Sequence, residues 1–187
     1  MVSAEASTTK TWPIDRVLTS IAERPDALAA LRRGVGRPLE ESPDSWPYAM
    51  EVASGHQWRE KPAHVTLGLF ALHHQSQTPG SMNRSDWGVG RACRQLKYSR
   101  GSEGASEEGV ERRFKAALAS ETLEALAVHL RGLVTLLRGA TVPLDYALLY
   151  WQFCQWQQPE EREQVCLRWG REYFRTIEDE DNKEIAP

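Results

Sequence analysis

Cysteine is scarce in this 187-residue chain. Cys93, Cys154 and Cys166 stand far apart, and no Cys-x-x-Cys pair exists. An odd, sparse count gives no disulfide framework and fits a reducing cytoplasm, where cysteine acts as a small buried hydrophobe. Strand signals are nearly absent: there is no sustained alternation of Val, Ile, Thr and aromatics, and no Asn-Gly or Asp-Gly hairpin turn. The longest mostly apolar stretch, Val65 to Leu72, is far too short to cross a bilayer. Met1 to Lys10 is polar and contains an acid, unlike a signal peptide.

The signatures of common chemistry are also missing. There is no HExxH, no Walker-A lysine motif and no GxSxG. Gly34-Val35-Gly36 and Gly88-Val89-Gly90 resemble the start of a dinucleotide fingerprint, but neither follows a strand and neither has the third glycine. His73 and His74 are adjacent, so a helix points them to different faces. His56 lies four residues from Glu60 with no third ligand nearby, and His64 and His129 have no obvious ligand partners. Glu107-Glu108 and Glu160-Glu161 fall in first turns of predicted helices, where the helix dipole accounts for them. We therefore expect a binding protein, not an enzyme, with no metal and no cofactor.

What remains is helical. Hydrophobic residues make up 41% of the chain, enough for a core, and the charged fraction of 26% is ordinary for a soluble domain. Proline and glycine punctuate successive helical segments: about Asp15–Glu23, Asp26–Arg33, a less regular piece from Ser42 through Val52, Ala63–His74, Gly88–Tyr98, Glu107–Ala119, Thr122–Arg138, a helix opened by Pro143 and running to Trp156, and Pro159 to near Ile177. Ala63–His74 is apolar on more than one face and belongs at the centre of the core. Leu123, Leu126, Leu130, Leu133 and Leu137 form a heptad-like stripe, and Val165, Trp169, Tyr173 and Ile177 form another. Trp151, Trp156 and Trp169 fall at core positions; Trp58 and Trp87, in polar surroundings, suit an interface. The expected fold is all-α, a bundle of eight or nine helices. Residues 99–106 offer a lobe boundary that separates 12–98 from 106–178, with flexible tails at 1–11 and 179–187.

The net charge of −3 conceals an asymmetry. Residues 178–187 hold five acids and one base; without them the chain has 22 bases against 21 acids. Any nucleic-acid surface must then be a local patch. Arginine outnumbers lysine 18 to 5, which suits bidentate phosphate contact. Three basic stripes stand out: Arg84 to Arg100, with Arg91 and Arg94 at i, i+3 and Lys97 beyond; Arg131 and Arg138, two turns apart and preceded by Arg112, Arg113 and Lys115; and Arg168, Arg171 and Arg175. Each is either a phosphate contact or a solvated helix face with local acidic partners such as Glu111–Lys115. The 84–100 cluster has the fewest acids in the sequence around it.

Several motifs, in order, carry a resemblance: Ala30-Leu31-Arg32-Arg33-Gly34 followed by Gly36-Arg37-Pro38; Leu69-Phe70-Ala71-Leu72-His73; Gly90-Arg91-Ala92; Val110-Glu111-Arg112-Arg113-Phe114; His129-Leu130-Arg131-Gly132-Leu133-Val134; Pro143-Leu144-Asp145-Tyr146; and Leu167-Arg168-Trp169. Over residues 12–177 the chain resembles the CasB small subunit of the type I-E CRISPR surveillance complex, Cascade. The resemblance implies a non-catalytic, cytoplasmic, all-α subunit that sits as a head-to-tail pair on the complex. It also implies contacts to the crRNA-bearing backbone and the large subunit, and a role in holding the strands of target DNA in the R-loop. Guide pairing supplies sequence specificity there, so sequence-tolerant backbone contacts suffice. By motif the implied nucleic-acid contacts are Arg33, Arg91, Arg113, Arg131 and Arg138; Arg94 and Lys97 join them on charge alone. The sequence departs from the family after Gly90-Arg91-Ala92, where Cys93-Arg94 stands in place of the usual leucine. The same arginines also fit a second reading, a structural adaptor whose bases pair with acids of protein partners.

Overall fold

The computed structural model describes residues 12–78, 81–99 and 106–175. Among these the chain forms nine α-helices: α1 (Pro13–Ala22), α2 (Pro25–Arg33), α3 (Trp46–Ala53), α4 (Glu60–His73), α5 (Val89–Tyr98), α6 (Glu107–Leu118), α7 (Leu123–Gly139), α8 (Tyr146–Trp156) and α9 (Pro159–Phe174). The only strand-like feature among the described residues is a single parallel bridge between Asn83 and Leu144. The fold is all-α, as expected. The expected tails, most of the 99–106 boundary and Ile177 lie outside the described residues.

Helix starts follow the sequence signals. Pro13, Pro25 and Pro159 open their helices, where the missing N–H costs nothing. Ser106 and Thr122 cap α6 and α7 by accepting from the N–H groups of Gly109 and Ala125. Pro143 is the exception, because α8 does not begin there. Residues 82–87 instead clip onto the segment before α8. Leu144 N–H donates to the Met82 carbonyl (3.0 Å), and Arg84 N–H donates to the Leu144 carbonyl (3.0 Å). Asp145 then accepts from the N–H of Leu148 (2.8 Å), starting the helix at Tyr146, and from the N–H of Asp86 (2.9 Å). Long-range backbone pairing thus overrides the local proline signal, and it fixes a loop that looks merely polar in sequence.

One apolar core runs from Ile14 to Tyr173. α4 lies at its centre against α1, α2, α3, α7 and α8, with ten of its residues buried. The leucine stripe of α7 is buried as the spacing predicts, as are Val165, Trp169 and Tyr173 of α9. Trp156 and Trp169 stack at 5.4 Å, and the Trp169 indole N–H donates to Gln152 Oε1 at 3.0 Å. His73 and His74 are buried as well. His73 Nδ1 meets the Tyr146 hydroxyl at 2.9 Å, and His74 Nδ1 donates to the Phe70 carbonyl at 3.0 Å. The three cysteines are free thiols, and burial raises the pKa of Cys93 to about 12. No helix of the described residues is long and apolar enough to cross a membrane.

Candidate nucleic-acid interface

Two arginine sites emerge, on different helices. The first is built around the turn after α2. Gly36 adopts φ +79°, a conformation that glycine tolerates without strain. The turn is held from below by His64. Burial lowers the pKa of this ring, so it is neutral; Nε2–H donates to the Arg37 carbonyl (3.0 Å) and Nδ1 accepts from Ser45 Oγ (2.9 Å). Arg131 of α7 reaches across to Gly36, where its Nη1 lies 3.2 Å from the position a Cβ would take. The sequence positions 33–37 and 131 are thereby brought together. Arg37 and Arg131 are exposed and make no ion pair among the described residues. Arg33 pairs with Asp44 at 2.9 Å, but both side chains are mostly exposed, and such pairs contribute at most about 1 kcal/mol. Beside this turn a pocket of about 350 Å³ opens between α4 and α7, walled by Val35, Leu39, Val65 and Leu69.

The second site is α5. The guanidinium groups of Arg84 and Arg91 lie over the half-buried Trp87 ring at 5.1 and 4.7 Å. The N-terminus of α5 is capped from outside, since Glu172 of α9 accepts from the Arg91 backbone N–H at 3.4 Å. Burial raises the pKa of this carboxyl, an effect opposed by the amide contacts and by Arg168 and Arg91. Arg94 donates to the Arg175 carbonyl at 3.2 Å. Lys97 is only 21% exposed, pairs with Glu111 at 3.4 Å and lies over the rings of Tyr98 and Tyr173. Glu111 also takes Lys115 at 2.7 Å, and these two lysines hold its carboxyl below the ordinary range.

The remaining expected contacts serve the fold in part. Arg138 donates to Gln75 Oε1 (2.8 Å) and to the Leu72 carbonyl (3.3 Å), closing the C-terminal end of α4. Arg113 donates to the Gly109 carbonyl at 3.2 Å within its own helix. Arg131 and Arg138, paired in sequence as one stripe, therefore differ in environment. Arg37 was not among the expected contacts, although its motif, Gly36-Arg37-Pro38, signals a tight turn that presents a side chain. Of the two tryptophans expected at an interface, Trp58 is 51% exposed, with Arg59 over its ring at 4.6 Å, and Trp87 is covered as described. No group of three His, Cys, Asp or Glu that could hold a metal ion occurs among the described residues.

A family model for CRISPR-associated protein Cse2 matches residues 27–174. The chain belongs to the Cse2 family. Its similarity to CasB from Thermobifida fusca is 33% identity over 88% of this chain and 99% of that one, with a TM-score of 0.68. CasB from Thermus thermophilus is 26% identical over 88% of this chain and 99% of that one, with a TM-score of 0.66. A chain of a CRISPR RNA-guided surveillance complex shares the fold at a TM-score of 0.68 with 24% identity, covering 92% of this chain and 95% of that one. No protein of curated function matches the sequence. All seven expected contact residues lie within the Cse2 match, whereas Arg175 and the acidic residues beyond it lie outside.

Proposed function

We propose that this Cse2 chain is the non-catalytic small subunit of a cytoplasmic, Cascade-type RNA-guided complex, and that it steadies R-loop strands through sequence-tolerant arginine contacts. The observation that carries the reading is the approach of Arg131 to Gly36, the residue before Arg37. Here two exposed arginines without ion-pair partners among the described residues stand on a turn and on a 17-residue helix that meet at Gly36. Such a pair suits phosphate oxygens and does not read bases. Arg33 lies just before the same turn, and Arg84 and Arg91 add basic groups at the second site. In the complex the subunit would meet the target DNA strands, the crRNA-bearing backbone, the large subunit and a second copy of itself.

A second reading, the structural adaptor, draws on a separate observation. Arg94, Lys97, Arg113 and Arg138 already bond protein acceptors. The two readings separate in fluorescence anisotropy with labelled single-stranded DNA, duplex DNA and RNA across a salt series. Phosphate contact predicts affinity that falls steeply with salt and drops in the Arg37→Ala/Arg131→Ala variant. Absence of binding by the folded protein at low salt would sink autonomous nucleic-acid binding and leave the adaptor.

A further inference from the structure

We infer that the hollow between α4 and α7 is a binding site for a small amphipathic anion, an aliphatic chain that ends in a carboxylate. The hollow holds about 350 Å³ beside the turn after α2. Pockets for small organic ligands run from roughly 300 to 1,000 Å³. Its walls are aliphatic: Val35 and Leu39 from the turn, Val65 and Leu69 from α4, Leu123 and Val128 from α7. Ala127 adds only a methyl group, and Val128 is 66% exposed. The turn is braced at three successive carbonyls. His64 Nε2–H donates to that of Arg37 (3.0 Å), Ser42 Oγ to that of Pro38 (3.0 Å) and the Trp46 indole N–H to that of Leu39 (2.7 Å). Val35 also packs close on α4, since a Cβ at Gly68 would come within 3.1 Å of it. The hollow is therefore preformed, and a fitting apolar chain gains by displacing water from it.

The two ends of the hollow differ in charge, and that difference selects the ligand. At one end Lys61 of α4 stands 3.8 Å from Glu124 of α7, so these two charges offset each other. Further along α7, Arg131 reaches Gly36, the residue before Arg37. Neither arginine has an ion-pair partner among the described residues. Glu40 is the one other carboxylate in the lining, and it stands against both guanidinium groups. Glu124 and Arg131 are two helical turns apart, about 10 Å at 1.5 Å per residue, a length that an aliphatic chain of roughly eight carbons spans. Such a chain would lie along the hollow with its methyl end toward Leu123 and its carboxylate at Arg37 and Arg131. Charge-assisted hydrogen bonds from the guanidinium groups then fix its direction. The site shares these two arginines with the phosphate contact proposed above but does not rest on it.

The test titrates the full chain with octanoate and, as the probe of opposite charge and equal length, octylammonium. The readout is the methyl NMR signals of Val35, Val65 and Val128. We expect saturable shifts of all three with octanoate, at a Kd on the order of 0.1–1 mM, and binding of octylammonium at least about tenfold weaker. Arg37→Ala/Arg131→Ala should erase the preference between the two probes. Ala127→Leu, which fills the hollow and keeps its charges, should abolish the shifts. Val128→Glu, a change at an exposed position, should weaken octanoate about tenfold by placing a like charge at the site. Silent methyl signals in the folded wild type would overturn the inference. So would equal binding of the two probes, or octanoate shifts that persist in both Ala127→Leu and Val128→Glu. Anisotropy with single-stranded DNA separates this result from the function proposed above. Octanoate binding by a protein that takes up no DNA would uphold the pocket and remove the nucleic-acid reading. DNA binding by a protein indifferent to octanoate would overturn the pocket and leave that reading standing.

Discussion

Gly90 of α5 packs directly against the carbonyl oxygen of Trp169 in α9, and a Cβ at that position would overlap this oxygen. The neighbouring Gly88 lies against the Glu172 carboxylate, where a Cβ would come within 2.6 Å. The Gly-Val-Gly of this segment is thus a seam between two helices, with no phosphate cradle involved. The same seam sets Glu172 on the α5 N-terminus and Arg94 on the end of α9.

Substituting Gly90 by alanine must push two backbones apart, and an overpacked core costs about 1–3 kcal/mol. We expect Gly90→Ala at or above the top of that range, because the obstacle is backbone and cannot rotate away. Gly132, on the exposed face of α7, is the opposite case, because a Cβ there would enter open space. Gly132→Ala should gain about 0.5–1 kcal/mol from helix propensity and reduced unfolded-state entropy. Denaturant unfolding of the two variants would show midpoints moving in opposite directions.

Arg131 and Arg138 should separate in function. Arg138→Ala removes two hydrogen bonds at the C-terminal end of α4 and should cost about 1–2 kcal/mol of stability. Arg131→Ala should change stability by no more than about 0.5 kcal/mol. Removing Arg37 and Arg131 together should instead lower the slope of log affinity against log salt for single strands by about 1.4, at about 0.7 per phosphate contact. An unchanged slope in the double variant would detach these residues from the backbone of the nucleic acid.

Gly36→Ala tests the geometry that joins the two. A β-carbon at φ +79° costs about 1–2 kcal/mol and also crowds Arg131 Nη1. We expect lower stability together with a binding loss comparable to that of Arg131→Ala, read by the same anisotropy series.

Acid should weaken the fold before the carboxylates titrate. Burial, with the nearby His74 and Arg138 adding to it, lowers the pKa of His73 to about 3, and burial also lowers His64 and His74. Between pH 6.5 and 3 the unfolded chain therefore binds protons that the folded chain refuses, so stability rises with pH across this window. His73, which is fully buried, accounts for about 2 kcal/mol lost by pH 5 at about 1.4 kcal/mol per unit. Thermal unfolding from pH 7 to pH 5 should show a falling midpoint, and His73→Asn should flatten it.

The helical class, most helix boundaries, the leucine stripe of α7 and the buried Val165, Trp169 and Tyr173 of α9 were legible along the chain. Those rest on local properties: the leucine spacing of α7, the prolines that open α1, α2 and α9, and the Ser106 and Thr122 caps. The ordered motifs also pointed to the family. The tertiary structure decided which arginines are open. Charge read along the chain made residues 84–100 look the least neutralised, yet Lys97 meets Glu111 and the start of α5 meets Glu172, partners 14 and 81 residues away. It likewise moved the start of α8 from Pro143 to Tyr146, because residues 82–87 pair with the segment before it, and it brought Arg131 to Gly36. An ion pair, a cap or a close glycine contact depends on distance in space, which folding sets by burying the apolar faces; sequence spacing measures that distance only within a single helix.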